Sequence, residues 1–247
     1  MRQKDIGRIA ILSVSVLALM GFGLGVVTGR QLRPPLPDAF AEGEAPVLRV
    51  TVPLTPFPLR SDARPREPAS DRVGALIYRG GLSFSMAQSA RLGGVSALHV
   101  RVRPNGQLQV VGLSDTGDWL AMALPQPEQW AVPDQETVLH LGFLQDADGR
   151  PYLDKRAGDA ESLAVDPATG TVFVGFEQSH RIQRYPVPSG LSGRAETQVL
   201  TNLPSMPRNR GFEALTVGRA PSGASVLLAG TEDGDLYDCP VVGGACR

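Results

Sequence analysis

Along residues 73–247, short apolar runs alternate with turn residues, and the pattern recurs in three rounds. Each round opens on a related strand: Ser96-Ala97-Leu98-His99-Val100, Glu161-Ser162-Leu163-Ala164-Val165 and Glu213-Ala214-Leu215-Thr216-Val217. Each strand runs into a turn ending in glycine, at Pro104-Asn105-Gly106, Ala168-Thr169-Gly170 and Pro221-Ser222-Gly223. Glycine accepts the positive φ that hairpin turns often require. A second apolar strand follows at 108–113, 172–176 and 226–229, and each ends close to an acid, Asp115, Glu177 or Glu232. Third strands are predicted at 119–124, 181–185 and 236–239. They stop at Pro125, Pro186 and Pro240, which cannot donate to a continuing ladder. Fourth strands are predicted at 138–144 and 197–201. The chain stops before the third round can form its own, so residues 74–85 are expected to supply it and close the ring. The repeating unit is therefore a four-stranded antiparallel sheet of about 50–65 residues, the size of a propeller blade. The predicted fold is all-β, a propeller-like array of three to four blades, complete or partial.

The opening of the chain reads differently. Arg2, Lys4 and Arg8 precede an uncharged stretch over 9–28, which at about 1.5 Å per residue spans a bilayer core of about 30 Å. The segment over 1–30 is expected to be one hydrophobic helix, either a retained anchor or a signal peptide. An anchor gives a single-pass inner-membrane protein with its domain in the periplasm. Cleavage after Ala39-Phe40-Ala41 gives a soluble periplasmic one. Residues 31–72 are rich in Pro and Arg and read as a linker around one extended piece at 47–52, leaving 73–247 as the folded domain.

Composition narrows the partners. A net charge of -1 offers no basic face for nucleic acid, and that class is set aside. Gly 28 and Pro 21 fit many short strands and tight turns. Cys239 and Cys246 lie close together without the paired spacing of a zinc site, so a structural disulfide is expected, with free thiols as the alternative.

Several segments carry a family resemblance. They are Gly93-Gly94-Val95-Ser96-Ala97-Leu98, Ser114-Asp115-Thr116-Gly117-Asp118-Trp119, Gly158-Asp159-Ala160-Glu161-Ser162-Leu163-Ala164, Glu177-Gln178-Ser179-His180-Arg181-Ile182 and Asn209-Arg210-Gly211-Phe212-Glu213-Ala214-Leu215. In order and spacing they resemble the phytase-like, "esterase-like activity of phytase", family of exported bacterial proteins, over 74–232. The resemblance implies a propeller fold and a hydrolase. The chain departs from it at Thr116, where the family tends to have arginine.

If the rounds are blades, equivalent positions converge near one mouth of the central channel. Glu161 and Glu213 share a slot with Ser96, and Asp115, Glu177 and Glu232 form a second set. Carboxylates gathered there suit Ca2+, a hard cation with oxygen ligands, and Asp115, Glu161 and Glu213 are the expected metal set. Glu161, Glu177, Glu213 and His180 are the catalytic candidates, while Arg181, Arg184 and Asn209 are the candidates for holding substrate oxygens. Each has a plainer role open to it: backbone acceptor for the glutamates, turn residue for Asp115 and Glu232, solvated outer face for the arginines. Asp146-Ala147-Asp148-Gly149 starts like a calcium loop but lacks the rest, and a plain turn is expected. No Gly-x-Ser-x-Gly elbow is present. Two functions follow: a metal-assisted phosphoric-ester or other ester hydrolase, or a non-catalytic propeller binding a protein or small ligand. In either case a further copy of the chain is a candidate partner for completing the ring.

Overall fold

The structure is a computed structural model describing residues 47–56, 72–73, 75–78, 80–86, 94–152, 154–187, 189–197, 200–203 and 205–247. Among the described residues, four strands precede the repeats: β1 (Leu48–Pro56), β2 (Arg72–Val73), β3 (Leu76–Ile77) and β4 (Leu82–Ser83). The first blade is β5 (Val95–Val102), β6 (Leu108–Ser114), β7 (Asp118–Leu124) and β8 (Gln135–Phe143). A one-turn helix, α1 (Lys155–Gly158), leads into the second: β9 (Ala160–Val165), β10 (Val172–Phe176), β11 (Arg181–Tyr185) and β12 (Glu196–Thr197). After β13 (Leu200–Thr201) come β14 (Phe212–Arg219), β15 (Ser225–Thr231), β16 (Leu236–Pro240) and the short β17 (Gly244–Ala245). Within each blade, neighbouring strands run antiparallel, so the array is propeller-like, as the repeats predict.

The strand period explains how the blades stack. In β6, Leu108 and Val110 enter one core while Val111 and Leu113 enter the next, and β7 divides in the same way, with Leu120 and Met122 against Trp119 and Ala121. Such strands are apolar on both faces because both faces are covered. The second blade repeats the division, sending Val174 and Phe176 toward the first blade and Phe173 and Ile182 toward the third. The blades therefore lie side by side, with β9 packed between β5 and β14.

Two expectations about the fourth strands are corrected. Residues 74–85 do not complete the third blade: β3 pairs with β2, and β4 pairs with β1, which itself runs along β8. Leu82, Phe84 and Met86 bury against the first blade's outward apolar face, which would otherwise be left open to water. The third blade is instead flanked by the chain's own last residues, with Arg247 exchanging both backbone bonds with Asp238 at 2.8 and 2.9 Å. β13 pairs in parallel with β17, so the fourth strand expected at 197–201 is shared between blades, with β12 in the second and β13 beside the third. The extended piece expected at 47–52 is β1, an integral strand of the first sheet.

Cys239 and Cys246 form a disulfide that ties the tail to β16. Changing both to alanine is expected to cost about 2 kcal/mol, since the closed loop is short, and a urea midpoint checks it. An unchanged midpoint would show the tail pairing to be sufficient alone. The Asp146 segment is a plain turn, its Oδ1 accepting from Asp148 N and Arg150 N at 2.9 and 2.8 Å.

The expected single-pass inner-membrane topology is also corrected. Among the described residues no helix is long and apolar enough to cross a membrane. Residues 9–28, on which that expectation rested, and the cleavage site near Ala41 lie outside the described residues.

Candidate functional site

One local device recurs in all three blades. The residue just before the first, inner strand of each blade, β5, β9 or β14, accepts a backbone bond from the acid that follows the second strand. Asp115 N donates to Gly94 O at 2.9 Å, Glu177 N to Asp159 O at 2.8 Å and Glu232 N to Gly211 O at 3.3 Å. Directly afterwards each inner strand carries a bulge whose extra residue is Ser96, Glu161 or Glu213. A bulge bends its strand and re-aims a side chain. Hydroxyls join the blades at the same level, from Ser96 to Ala160 O and from Ser162 to Phe212 O. Bulged glutamates and strand-end acids are thereby brought to one end of adjacent blades.

The result is a cluster of five carboxylates. Asp159, Glu161 and Glu177 present oxygens within 4.8 Å of one another, and so do Glu177, Glu213 and Glu232. Glu177 belongs to both groups. Its position depends on Gly211, where a Cβ would lie 2.9 Å from Glu177 Cα. The turn after it is clamped, with Gln178 at φ 54 donating its N–H to Arg208 O at 3.0 Å and its side-chain amide to Asn209 Oδ1 at 3.1 Å.

Asp159 is the deepest member, with a fully buried side chain. Lys155 Nζ lies 2.9 Å from its Oδ1, close enough for an ion pair but not aligned as a hydrogen bond, and neither carboxylate oxygen has a hydrogen-bond donor. The same ammonium donates to Asp115 Oδ2 at 2.7 Å, linking the first blade's acid to the second's. The helix that carries Lys155 is fixed at both ends. Asp154 Oδ1 accepts from Ala157 N at 2.9 Å, and Arg181 donates to Ala157 O at 2.5 Å.

So much negative charge in one place holds protons. Burial pushes the Glu161 carboxyl up to about 8, aided by the adjacent Asp159 carboxylate and by the charge of Glu213, with Lys155 pulling the other way. Glu177 rises to about 7, from burial and then Asp159, Glu213 and Glu232. Glu213 is raised by burial and by Glu232 and Asp159, against the N–H of Gly211. Two species can satisfy the buried Asp159 oxygens, a protonated neighbouring carboxyl or a cation.

Of the residues singled out from the sequence, Glu161, Glu177, Glu213 and Glu232 come together here. Asp115 stands outside both groups and joins them through Lys155. His180 lies apart, its Nε2 3.1 Å from Met206 O. Arg181 is turned inward, its guanidinium 3.8 Å from the Phe176 ring centroid. Arg184 pairs with Glu196 across the outer strands, and Asn209 serves the Gln178 turn. Asp159 and Lys155 were not singled out. The usable signal for Asp159 is that the equivalent slot is glycine, Gly94 and Gly211, in the other two blades. A cavity of about 1050 Å³ lies elsewhere on the first blade, among Arg103, Gln107, Gln126, Gln135 and His140, and holds none of the five acids.

A family model described as Phytase-like, esterase-like activity of phytase, matches residues 90–239, more than half of the chain. The chain belongs to the Phytase-like family. No curated protein matches it. The matched residues of this Phytase-like chain run from ahead of β5 into β16, and they include Asp115, Lys155 and all five clustered acids.

Proposed function

We propose that this Phytase-like domain hydrolyses an anionic ester, a phosphoric monoester first, at the five-acid cluster, with Ca2+ held by Asp159, Glu161, Glu177, Glu213 and Glu232. The observation that carries the reading is the fully buried Asp159 carboxylate, which neighbours Glu161 and Glu177, has no hydrogen-bond donor on either oxygen and meets only the Lys155 ammonium at Oδ1. An all-oxygen donor set of carboxylates fits a hard divalent cation such as Ca2+. Such a cation supplies Lewis-acid polarisation of the ester oxygen.

The chain's own groups divide the remaining work. Glu177, raised to about 7 in the absence of an ion, gives up its proton as the cation takes its carboxylate, so ion binding near neutrality releases protons. Glu161, the bulged residue of β9, lies beside it and holds its own proton until a cation or higher pH removes it. Lys155 supplies positive charge at the edge of the cluster, where an anionic ester would otherwise meet repulsion. His180, Arg181 and Arg184 are left out of the reading because each already serves other groups.

The test uses the full chain in EDTA or in millimolar Ca2+, with a chromogenic phosphomonoester and a chromogenic carboxylic ester as probes. Calcium-dependent cleavage of the phosphomonoester, lost in Glu161→Gln, is the expected outcome. If Ca2+ raises the melting temperature and neither ester is cleaved, the cluster binds without catalysis, and the ligand-binding alternative replaces this one. If Ca2+ changes neither melting nor turnover, the cation reading fails.

A further inference from the structure

We propose that Lys155 is a tethered counter-cation of this site: its ammonium holds the place on Asp159 that a divalent cation takes, and once displaced it serves the anionic group of the bound ester. The inference rests on the cation reading above and adds a residue to it.

The ammonium touches two carboxylates that the fold brings from different blades, Asp115 at 2.7 Å and Asp159 at 2.9 Å. Its single charge is too little for the place it occupies. Asp159 Oδ2 is buried without a donor, and the Asp159, Glu161 and Glu177 carboxylates present oxygens within 4.8 Å of one another. A divalent ion answers that surplus better, so a bound ion and the ammonium compete for the same oxygens.

Displacement is mechanically simple. The α1 backbone is pinned by the Asp154 cap and by Arg181, so only the flexible four-carbon stem has to move. The Lys155 side chain is already 53% exposed, whereas Asp159 is closed off completely. Asp115, outside both acid groups, remains as an anchor on the solvent side and keeps the released ammonium near the cluster. There it is a mobile point charge facing whatever anion the cation draws in, a role lysine commonly fills toward phosphate.

Calorimetry on the full chain at pH 8 measures both halves, with Ca2+ alone and then with inorganic phosphate added to the Ca2+-loaded protein. Lys155→Met is expected to bind Ca2+ about tenfold more tightly, its internal competitor gone, and phosphate about tenfold more weakly than the unaltered protein. Lys155→Arg is expected to restore phosphate binding, and Lys155→Gln replaces the methionine variant if that one loses the parent circular-dichroism spectrum. Equal or weaker Ca2+ affinity without the lysine overturns the exchange, and so does undiminished phosphate binding. Absence of Ca2+ binding in every form overturns the cation reading as well, so the two failures are told apart.

Discussion

Replacing Glu177 with glutamine is expected to weaken Ca2+ binding about a hundredfold, more than the same change at Glu213 or Glu232, because affinity in such sites follows the number of charged oxygen ligands. Glu177 contributes its carboxylate to both acid groups, whereas Glu213 and Glu232 each belong to one. The exposed pair can be replaced by neighbouring water, but the shared residue has no substitute. Gly211→Ala provides the complementary test, since it removes no charge. Its Cβ would press on Glu177 at 2.9 Å from Cα and 3.1 Å from Cβ, so the strand end must shift. A loss of about tenfold in affinity is expected, in the range seen when the groups supporting a ligand are disturbed. Calorimetry of the four variants decides. A Glu177→Gln protein within threefold of the parent would mean that the two acid groups do not act through their common member.

That a shared member exists was legible only in part from the sequence. The hairpin units showed in the glycine turns and proline stops, because a strand of period two leaves a local mark. The equivalence of Glu161 with Glu213, and of Glu177 with Glu232, followed from aligning the units. What local pattern cannot show is which strands meet across long separations. Leu82, Phe84 and Met86 had the composition of a ring-closing strand, yet the first blade's outward face was the nearer apolar surface. The tail at Arg247 was invisible as a strand because it consists of a few residues held by a disulfide and two backbone bonds. Lys155 lies on a single helical turn with no periodicity of its own, so nothing nearby announced that its ammonium would span two blades. Arg181 showed the opposite problem. Its alternation with Ile182 fitted an outward face, and the aromatic rings of Phe176 and Tyr152 that receive it come from other segments.

The electrostatics of the cluster also give stability an unusual dependence on pH. In EDTA the protein is expected to lose about 2 kcal/mol between pH 5 and pH 8, measured as the urea unfolding free energy. Glu161 and Glu177 have folded-state values of about 8 and about 7, above the ordinary 4.5 of an unfolded chain. Between those limits the folded state binds more protons than the unfolded state, so raising the pH favours unfolding. The loss begins as pH passes the unfolded value and is complete once it exceeds the folded one. Screening by water reduces the effect below a full conversion of the shifts, since neither carboxyl is sealed from solvent. His99 and His140 act with the opposite sign near their own ordinary range. Burial lowers both, Arg101 and Arg49 adding to it respectively, so their contribution to stability rises with pH. Glu161→Gln separates the two effects, because it removes the larger of the two acid contributions while leaving the histidines in place. The expected result is a falling profile for the parent in EDTA, a flatter one for Glu161→Gln, and restoration of the parent's stability at pH 8 by Ca2+, which replaces the protons it releases. A parent profile in EDTA that rises from pH 5 to 8, or one that Glu161→Gln leaves unaltered, would mean that these carboxyls do not hold protons as their burial and mutual positions require.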